Sequence, residues 1–211
     1  ETDMTIFRRT SDDKKLTNTH LNDNSSENFG IIFYNSATSS FELDVPTGFN
    51  EEDFYNHPVK VTYIGAQTFA DYYGWEIPTR WEWLRAARGD NDWLYTWGND
   101  YDRHKANYAD GSDPFNVGTT PVGYYDGIHD TSNNPYNIVS PFGLYDVVGN
   151  MPEFVEDVDH PMMPCWFAWF YSYDPSTWDG TGIPKHSLDW YMWMNGYEID
   201  EVQQLGFRCK K

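Results

Sequence analysis

Cysteine is scarce in this 211-residue chain, which contains two, Cys165 and Cys209. Two cysteines cannot build a disulfide framework or a four-thiolate zinc site. A single bridge between them stays open, because sequence alone does not decide pairing. The six histidines are scattered, with no His-x-x-x-His pair, so each is more typical of a surface or core histidine than of a metal ligand.

Basic residues are also few: 14 Lys and Arg stand against 33 Asp and Glu, which gives a formal net charge of -19. Such a surface repels phosphates, so nucleic acid is not an expected partner. It favours cations such as calcium and basic partners, or it serves solubility alone.

Long apolar runs are missing as well. None approaches the roughly 20 residues that span a bilayer, so membrane insertion is not expected. Residues 1–20 are polar and of mixed charge, unlike a signal peptide, and this leaves localisation open.

Aromatic residues, by contrast, are abundant, at 18% of the chain. They can bury large areas, which indicates a folded domain rather than disorder. The length suits one core, and no low-complexity linker divides the chain. We therefore predict a single domain over residues 1–211.

Two strands and two helices are predicted from local patterns. The apolar run "FGIIFYN" (29–35) has strand length, and "SFELDV" (40–45) is a second short strand. A helix is predicted over about 66–73, with Ala66, Phe69, Ala70 and Tyr73 on one face and Gly74 as its stop.

The second helix is predicted over about 80–88. Thr79 and Glu82 have the spacing of a capping box. Helical spacing continues through Trp81, Leu84, Arg85 and Arg88 to Gly89.

Residues 90–141 are dense in Asp, Asn, Gly, Pro and Tyr and have few periodic runs. Interleaved Trp and Tyr indicate a loop-rich functional domain rather than disorder. Bound metal is one way to hold such acidic loops together.

Five motifs, taken in order, resemble the formylglycine-generating-enzyme (sulfatase-modifying factor) family. They are "HPVKVTYIGAQTFADYYGWEIPTRWEWLRAARG", "YTWGND", "KANY" with "TTPVGYY", "SPFGLYDVVGNMPEFVED" and "LGFRC", and they span roughly residues 57–158 and 205–209. The resemblance implies an α+β, C-type-lectin-like fold with two short helices, small antiparallel sheets and long irregular loops. Residues 1–56 form a divergent N-terminal part without the family's opening motifs.

The family's oxidase holds copper(I) with two cysteines just upstream of Gly-Phe-Arg, because thiolates are the soft ligands that copper(I) selects. Residues 166–208 contain no cysteine. The chain is therefore not expected to be an oxidase, with a degenerate or unusual oxidase of the superfamily as the alternative.

The resemblance also implies calcium as a structural cofactor. In a first site, Asp146 and Glu153 give side-chain oxygens, and Gly149 and Met151 give carbonyls. A second site comprises Asn107, Tyr108, Asp113 and Phe115, although the spacing there departs from the family pattern. Calcium prefers such oxygen ligands. The alternative is that these acids cap turns without metal.

The C-terminal region, residues 160–211, is rich in aromatics. Tyr and Trp combine contact area with a hydrogen-bonding tip, as in binding surfaces. We expect most of its tryptophans to be core, and its tyrosines and intervening polar residues to be exposed. The predicted ligand-binding residues are Phe167, Tyr171, Ser172, Tyr173, Asp174, Asp189, Tyr191, Asn195 and Tyr197.

A subgroup with this combination is the variable proteins of diversity-generating retroelements. The resemblance implies a non-enzymatic receptor or adhesin, on a virion or cell surface, that binds a protein or glycan through this face. The varied codons of that system cannot encode Trp or Met, which makes Trp166, Trp169, Trp190, Met192, Trp193 and Met194 fixed scaffold. A carbohydrate-binding module is the further alternative.

Overall fold

The computed structural model describes residues 31–35, 37–38, 40–44, 55–59, 61–108, 118–128, 137–156, 164–165, 188 and 205–211. Both predicted N-terminal strands are confirmed. Strand β1 (Ile31–Asn35) pairs antiparallel with β2 (Ser40–Asp44), and Asn35 is opposite Ser40 at the turn.

Helix α1 spans Tyr63–Tyr73 and begins three residues before the predicted start. Thr62 caps it: the Thr62 hydroxyl accepts the Gly65 amide at 3.0 Å. Gly74 ends the helix as predicted, in the left-handed conformation (φ 66°) that favours glycine.

The predicted face of α1 is only half right. Ala66 and Ala70 are buried together with Tyr63, but Phe69 and Tyr73 are 42% and 53% exposed. The buried face of α1 therefore comprises Tyr63, Ile64 and the two alanines. Two large rings are thereby left on the surface.

Helix α2 spans Arg80–Arg88, and the Thr79–Glu82 capping box is present. The predicted stripe is confirmed at Leu84 and wrong at Trp81: α2 buries Trp83, Leu84 and Ala87, while Trp81 is exposed. The Trp83 indole N–H has a buried carboxylate to bind, whereas Trp81 lies under the Arg80 guanidinium, 5.1 Å from its ring centroid. A tryptophan is buried most readily where its N–H finds a partner.

A three-stranded sheet of short strands lies beyond the helices. Strand β3 (Glu153–Phe154) is central, antiparallel to β4 (Pro164–Cys165) and parallel to β5 (Gly206–Phe207). The expectation of purely antiparallel sheets is therefore wrong for this sheet. A parallel pair requires a long connection, which the residues between Phe154 and Gly206 provide.

Two apolar clusters form the core around β3. The larger contains Trp83, Leu84, Ala87, Tyr95, Ala106, Tyr108, Val147, Val148, Val155 and Leu188; the smaller contains Tyr63, Ala66, Ala70, Ile77, Phe154 and Leu205. Phe154 and Val155 are fully buried and belong to different clusters, because successive strand residues point to opposite faces. In the part of the chain that the structure describes, no helix is long and apolar enough to cross a membrane.

Candidate functional site

The centre of the described structure is an ion pair between Arg208 and Glu153. Glu153 lies opposite Gly206 in the parallel β3–β5 pair, so Arg208 follows two residues further along. The guanidinium binds both oxygens of the carboxylate, Nη2 to Oε1 and Nε to Oε2. The two side chains are 25% and 12% exposed, so the pair is largely removed from solvent.

Further donors and acceptors complete this pair. Trp83 Nε1 donates to Glu153 Oε2 at 2.8 Å, which joins α2 to β3. Arg208 Nη2 donates to the Asp146 carbonyl at 3.2 Å, and the guanidinium also reaches the Tyr145 carbonyl. Burial acts to lower the pKa of Arg208, but the Glu153 carboxylate outweighs burial and raises that pKa, so the guanidinium stays charged.

Asp146 is a partly buried carboxyl beside this pair. Its Oδ2 accepts the Gly123 amide at 2.6 Å, and its backbone is left-handed (φ 53°). Burial raises the pKa of Asp146 to about 6, while the Gly123 amide and Arg208 oppose the rise. Asp146 is therefore a group that takes up a proton between neutral and mildly acidic pH.

Asp146 also lines a small cavity of about 10 Å³, roughly the space that one water molecule needs. Thr96 and Lys105 line the same space, together with Tyr125, Ile138, Val147 and Val148. The Thr96 hydroxyl is buried and has no hydrogen-bond partner in the described part of the chain. The cavity thus combines a carboxyl and an uncommitted hydroxyl.

Asn150 joins three loops through a buried network. Its Oδ1 accepts the Thr120 amide at 2.9 Å and the Asn107 amide group at 3.4 Å, and its Nδ2 donates to the Thr120 carbonyl. Asn107 Nδ2 also donates to the Gly118 carbonyl at 3.0 Å. A Cβ on Gly149 (φ 80°) would lie 2.7 Å from the Asn107 carbonyl oxygen, so this turn requires glycine.

The residues predicted for the first calcium site are on one segment but differ in what they contact. Asp146 faces the cavity, Gly149 packs on Asn107, and Met151 is buried under Gly206. The Glu153 carboxylate accepts three hydrogen bonds, two from Arg208 and one from Trp83, which use three of its roughly four lone pairs.

In the second predicted site, Asn107 and Tyr108 are buried, whereas Asp113 and Phe115 lie outside the described residues. Among the residues that are described, no group of three or more His, Cys, Asp or Glu side chains is placed to hold a metal ion. In the first site, a calcium ion would therefore need backbone carbonyls in addition to the Asp146 and Glu153 side chains.

The nine predicted ligand-binding residues, from Phe167 to Tyr197, also lie outside the described residues. Sequence reasoning missed the roles of Arg208, Trp83 and Asn150. The Gly-Phe-Arg motif marked Arg208 as characteristic, but no local pattern names a partner that lies 55 residues away.

The cysteines are held apart by the strand order. Cys165 is opposite Glu153 on β4, while Cys209 follows β5 on the other side of β3. Strands two places apart are separated by about 9.6 Å, beyond the reach of a disulfide. Cys209 is a free thiol, and burial raises its pKa, which favours the protonated form.

These features define an α+β domain of two capped helices, short strands and long loops, in which a C-terminal arginine is bound by a central carboxylate. Residues 16–209 match the family model described as sulfatase-modifying factor enzyme 1-like domain. Since the match takes in nearly the whole chain, the chain belongs to that family.

Individual relatives carry different names. The chain is 38% identical over 109 residues to a formylglycine-generating enzyme of Thermomonospora curvata. This match covers 48% of the chain and 34% of that protein. The chain is 37% identical over 109 residues to a serine/threonine-protein kinase pkn1 of Chlamydia caviae, and the match covers 51% of the chain and 15% of that protein. It is 34% identical over 99 residues to an inactive C-alpha-formylglycine-generating enzyme 2 of Bos taurus, and the match covers 45% of the chain and 31% of that protein. The matched part is about a third or less of each relative, and the family includes both enzymes and inactive members.

Replacing Arg208 should destabilise the domain far more than replacing an exposed arginine. In Arg208→Met the Glu153 carboxylate stays buried without its cation, which typically costs about 3–5 kcal/mol. The matched control is Arg85→Met, because the Arg85–Asp90 pair is exposed (63% and 78%) and such pairs contribute about 0–1 kcal/mol. Urea unfolding of both variants measures the difference, and equal losses would contradict the central role of Arg208.

Asp146 should make the calcium-free domain more stable on mild acidification. Its pKa in the folded state, about 6, lies above its ordinary pKa of 3.8. The stabilising contribution of Asp146 is therefore complete below pH 3.8 and is lost as the pH rises through 6. Asp146→Asn, which keeps the acceptor and tolerates the left-handed backbone, should be more stable than the wild type at pH 7 by roughly 2 kcal/mol. Urea unfolding in EDTA should show this gap narrowing as the pH falls below 6 and closing only near the ordinary pKa of 3.8; a gap independent of pH would refute the assignment.

Proposed function

We propose that this domain is a non-catalytic, ligand-binding member of its family that recognises a protein or glycan through its aromatic C-terminal face. The observation that carries the proposal is the missing pair of sulfurs: residues 166–208, which comprise Gly-Phe-Arg and the stretch just upstream of it, contain no cysteine. Copper(I) requires soft ligands, and one thiol cannot replace two.

The surroundings of Cys209 support the same conclusion. A thiolate, not a thiol, binds metal, and reactive cysteines lie in electropositive surroundings that lower their pKa. Burial shifts the pKa of Cys209 upward, and the side chain packs against the smaller apolar cluster. Cys165 lies on the far side of β3. The two thiols therefore offer no common ligand set.

The aromatic segment fits recognition better than chemistry. Residues 166–197 interleave Trp, Tyr and Phe with Ser, Asp and Asn, which is the composition of protein-binding and glycan-binding surfaces. We take the wider fold to be of the C-type-lectin type, and the protein to be a variable protein of a diversity-generating retroelement, displayed as a receptor or adhesin. Relatives named as inactive are consistent with a non-catalytic role.

The oxidase assay tests the non-catalytic half of the proposal. The chain, loaded with copper(I), is incubated aerobically with a Cys-containing peptide, and the product is read by mass spectrometry. We expect no formylglycine, and no difference between the wild type and Cys209→Ser, while the Thermomonospora curvata relative serves as positive control. Robust formylglycine formation that Cys209→Ser abolishes would make the domain an unusual oxidase and overturn the proposal.

The recognition half is tested on a glycan array and in the genome. Where the array shows binding, Tyr171→Ala and Tyr191→Ala should weaken it without changing thermal stability. A retroelement protein further requires a neighbouring reverse transcriptase and a near-copy of the 3′ end of the gene. A neighbourhood without either removes the retroelement assignment.

Calcium is proposed as a structural cofactor at the loop of Asp146. The fit rests on the partly buried Asp146 carboxyl, which accepts the Gly123 amide and lines a cavity beside the Thr96 hydroxyl, a group without a hydrogen-bond partner among the described residues. Glu153 has about one lone pair left after Arg208 and Trp83. Carbonyl oxygens such as those of Gly149 and Met151 would complete the oxygen-rich set that calcium prefers.

Calcium should raise the melting temperature of EDTA-stripped protein. A ligand at 100 times its Kd stabilises the folded state by about 2.7 kcal/mol. A bound cation also keeps Asp146 ionised, so acidification should now destabilise the domain, the reverse of its effect in EDTA. Scanning calorimetry with calcium, and with magnesium as control, checks this; no response, or an equal response of Asp146→Asn, would exclude the site.

A further inference from the structure

Five aromatic rings form a surface cluster where α1 meets β5, here called the aromatic platform: Phe69, Tyr72, Tyr73, Trp75 and Phe207. Tyr73 stacks on Trp75 with ring centroids 5.0 Å apart and planes inclined by 24°. Phe69 joins the two elements, since it lies 4.9 Å from Tyr73 and 5.3 Å from Phe207. Tyr72 extends the cluster edge-on, 5.0 Å from Tyr73.

The platform is open to solvent. Tyr72 is 81% exposed, and Phe69 and Tyr73 are about half exposed. Contiguous apolar surface of this kind commonly marks an interaction site, whereas single exposed rings do not. The mutual contacts hold the rings in place, so a partner meets a surface whose side chains are already ordered.

No cation lies over these rings in the described structure. Two other tryptophans do carry one: Arg80 lies over Trp81 at 5.1 Å, and Lys105 lies over Trp97 at 5.8 Å. The chain therefore uses cation–π contacts where a basic residue is within reach, and the platform offers the same ring faces without an internal cation.

We propose that the aromatic platform docks an arginine-bearing, basic segment of a partner protein. Guanidinium stacks on Tyr and Trp faces and is weakly hydrated, so it loses little on leaving water. This site goes beyond the proposed function, because it uses α1 and β5 rather than residues 166–197.

Charge complementarity favours this occupant over the others. The chain has a net charge of -19, which attracts basic segments and repels both a second copy of itself and anionic lipid. At the edge of the platform, next to Trp75, the Glu76 carboxylate is 72% exposed. The nearby Lys210 ammonium is already shared between Glu76 and Glu82, which leaves two carboxylates against one cation.

The test uses the whole chain and a fluorescein-labelled peptide of alternating Arg and Gly, with the same peptide carrying Lys for Arg as comparison. Fluorescence anisotropy is measured at physiological ionic strength, where long-range attraction is screened beyond about 8 Å. The variants are Tyr73→Ala and Tyr73→Phe, and the matched control is Tyr55→Ala, an exposed tyrosine (62%) outside the platform.

We expect the Arg peptide to bind more tightly than the Lys peptide. Tyr73→Ala should weaken the Arg peptide about fivefold, whereas Tyr73→Phe and Tyr55→Ala should bind as the wild type does. Circular dichroism and thermal unfolding verify that each variant is folded. Tyr72→Ala, at the more exposed position, provides a second measurement should Tyr73→Ala lose structure.

Three results would overturn the proposal. Equal binding by wild type and Tyr73→Ala would place the peptide elsewhere on the acidic surface. Equal affinity for the Arg and Lys peptides would leave charge alone as the cause. A dimer in sedimentation equilibrium that Tyr73→Ala dissociates would make the platform a contact between copies of this chain. None of these results depends on copper or on residues 166–197, so they do not bear on the proposed function.

Discussion

One buried charge determines how the described part of this domain is assembled. The Glu153 carboxylate is held on β3, and leaving it without a cation would be strongly unfavourable. The cation that pairs with it, Arg208, lies in the last motif of the chain, just after β5. Its other hydrogen-bond donor, Trp83, lies on α2. Arg208 also binds the carbonyls that precede the turn of Gly149 and Asn150. Helix, sheet and loops are thus joined at a single carboxylate.

The contacts of Glu153 with Arg208 and Trp83 support the fold of the domain. The motifs that carry Arg208, Glu153, Trp83 and Asn150 match the family, and the contacts of these side chains hold helix, sheet and loops together. Residues 166–205, just before Gly206, contain no cysteine and are rich in aromatic and polar side chains. A relative can therefore keep the frame and lose the reaction, which agrees with a family that contains both enzymes and inactive members.

Local features were predictable from sequence, and long-range ones were not. The hairpin, α2, its capping box and the stop at Gly74 follow from preferences within a few residues, and the structure confirms them. Thr62 was overlooked as a cap because the residue three positions later is Gly65, not the Glu or Gln that completes a capping box. The choice of Trp83 over Trp81 depended on a carboxylate 70 residues away, and the parallel β3–β5 pairing depended on the whole intervening chain. The Gly-Phe-Arg motif signalled that Arg208 mattered without signalling what it binds.

The parallel pairing of β3 with β5 has a consequence for how such domains diversify. Adjacent strands are about 4.8 Å apart, so the chain leaving Phe154 and the chain entering Gly206 meet side by side. The chain between them is a single connection with neighbouring ends, and it contributes β4 and the buried Leu188 to the domain. The entropy of closing a loop grows only as the logarithm of its length, about 0.6 kcal/mol for each doubling. The rest of this connection can therefore vary in length at a small cost in free energy, provided that β4 and Leu188 keep their places.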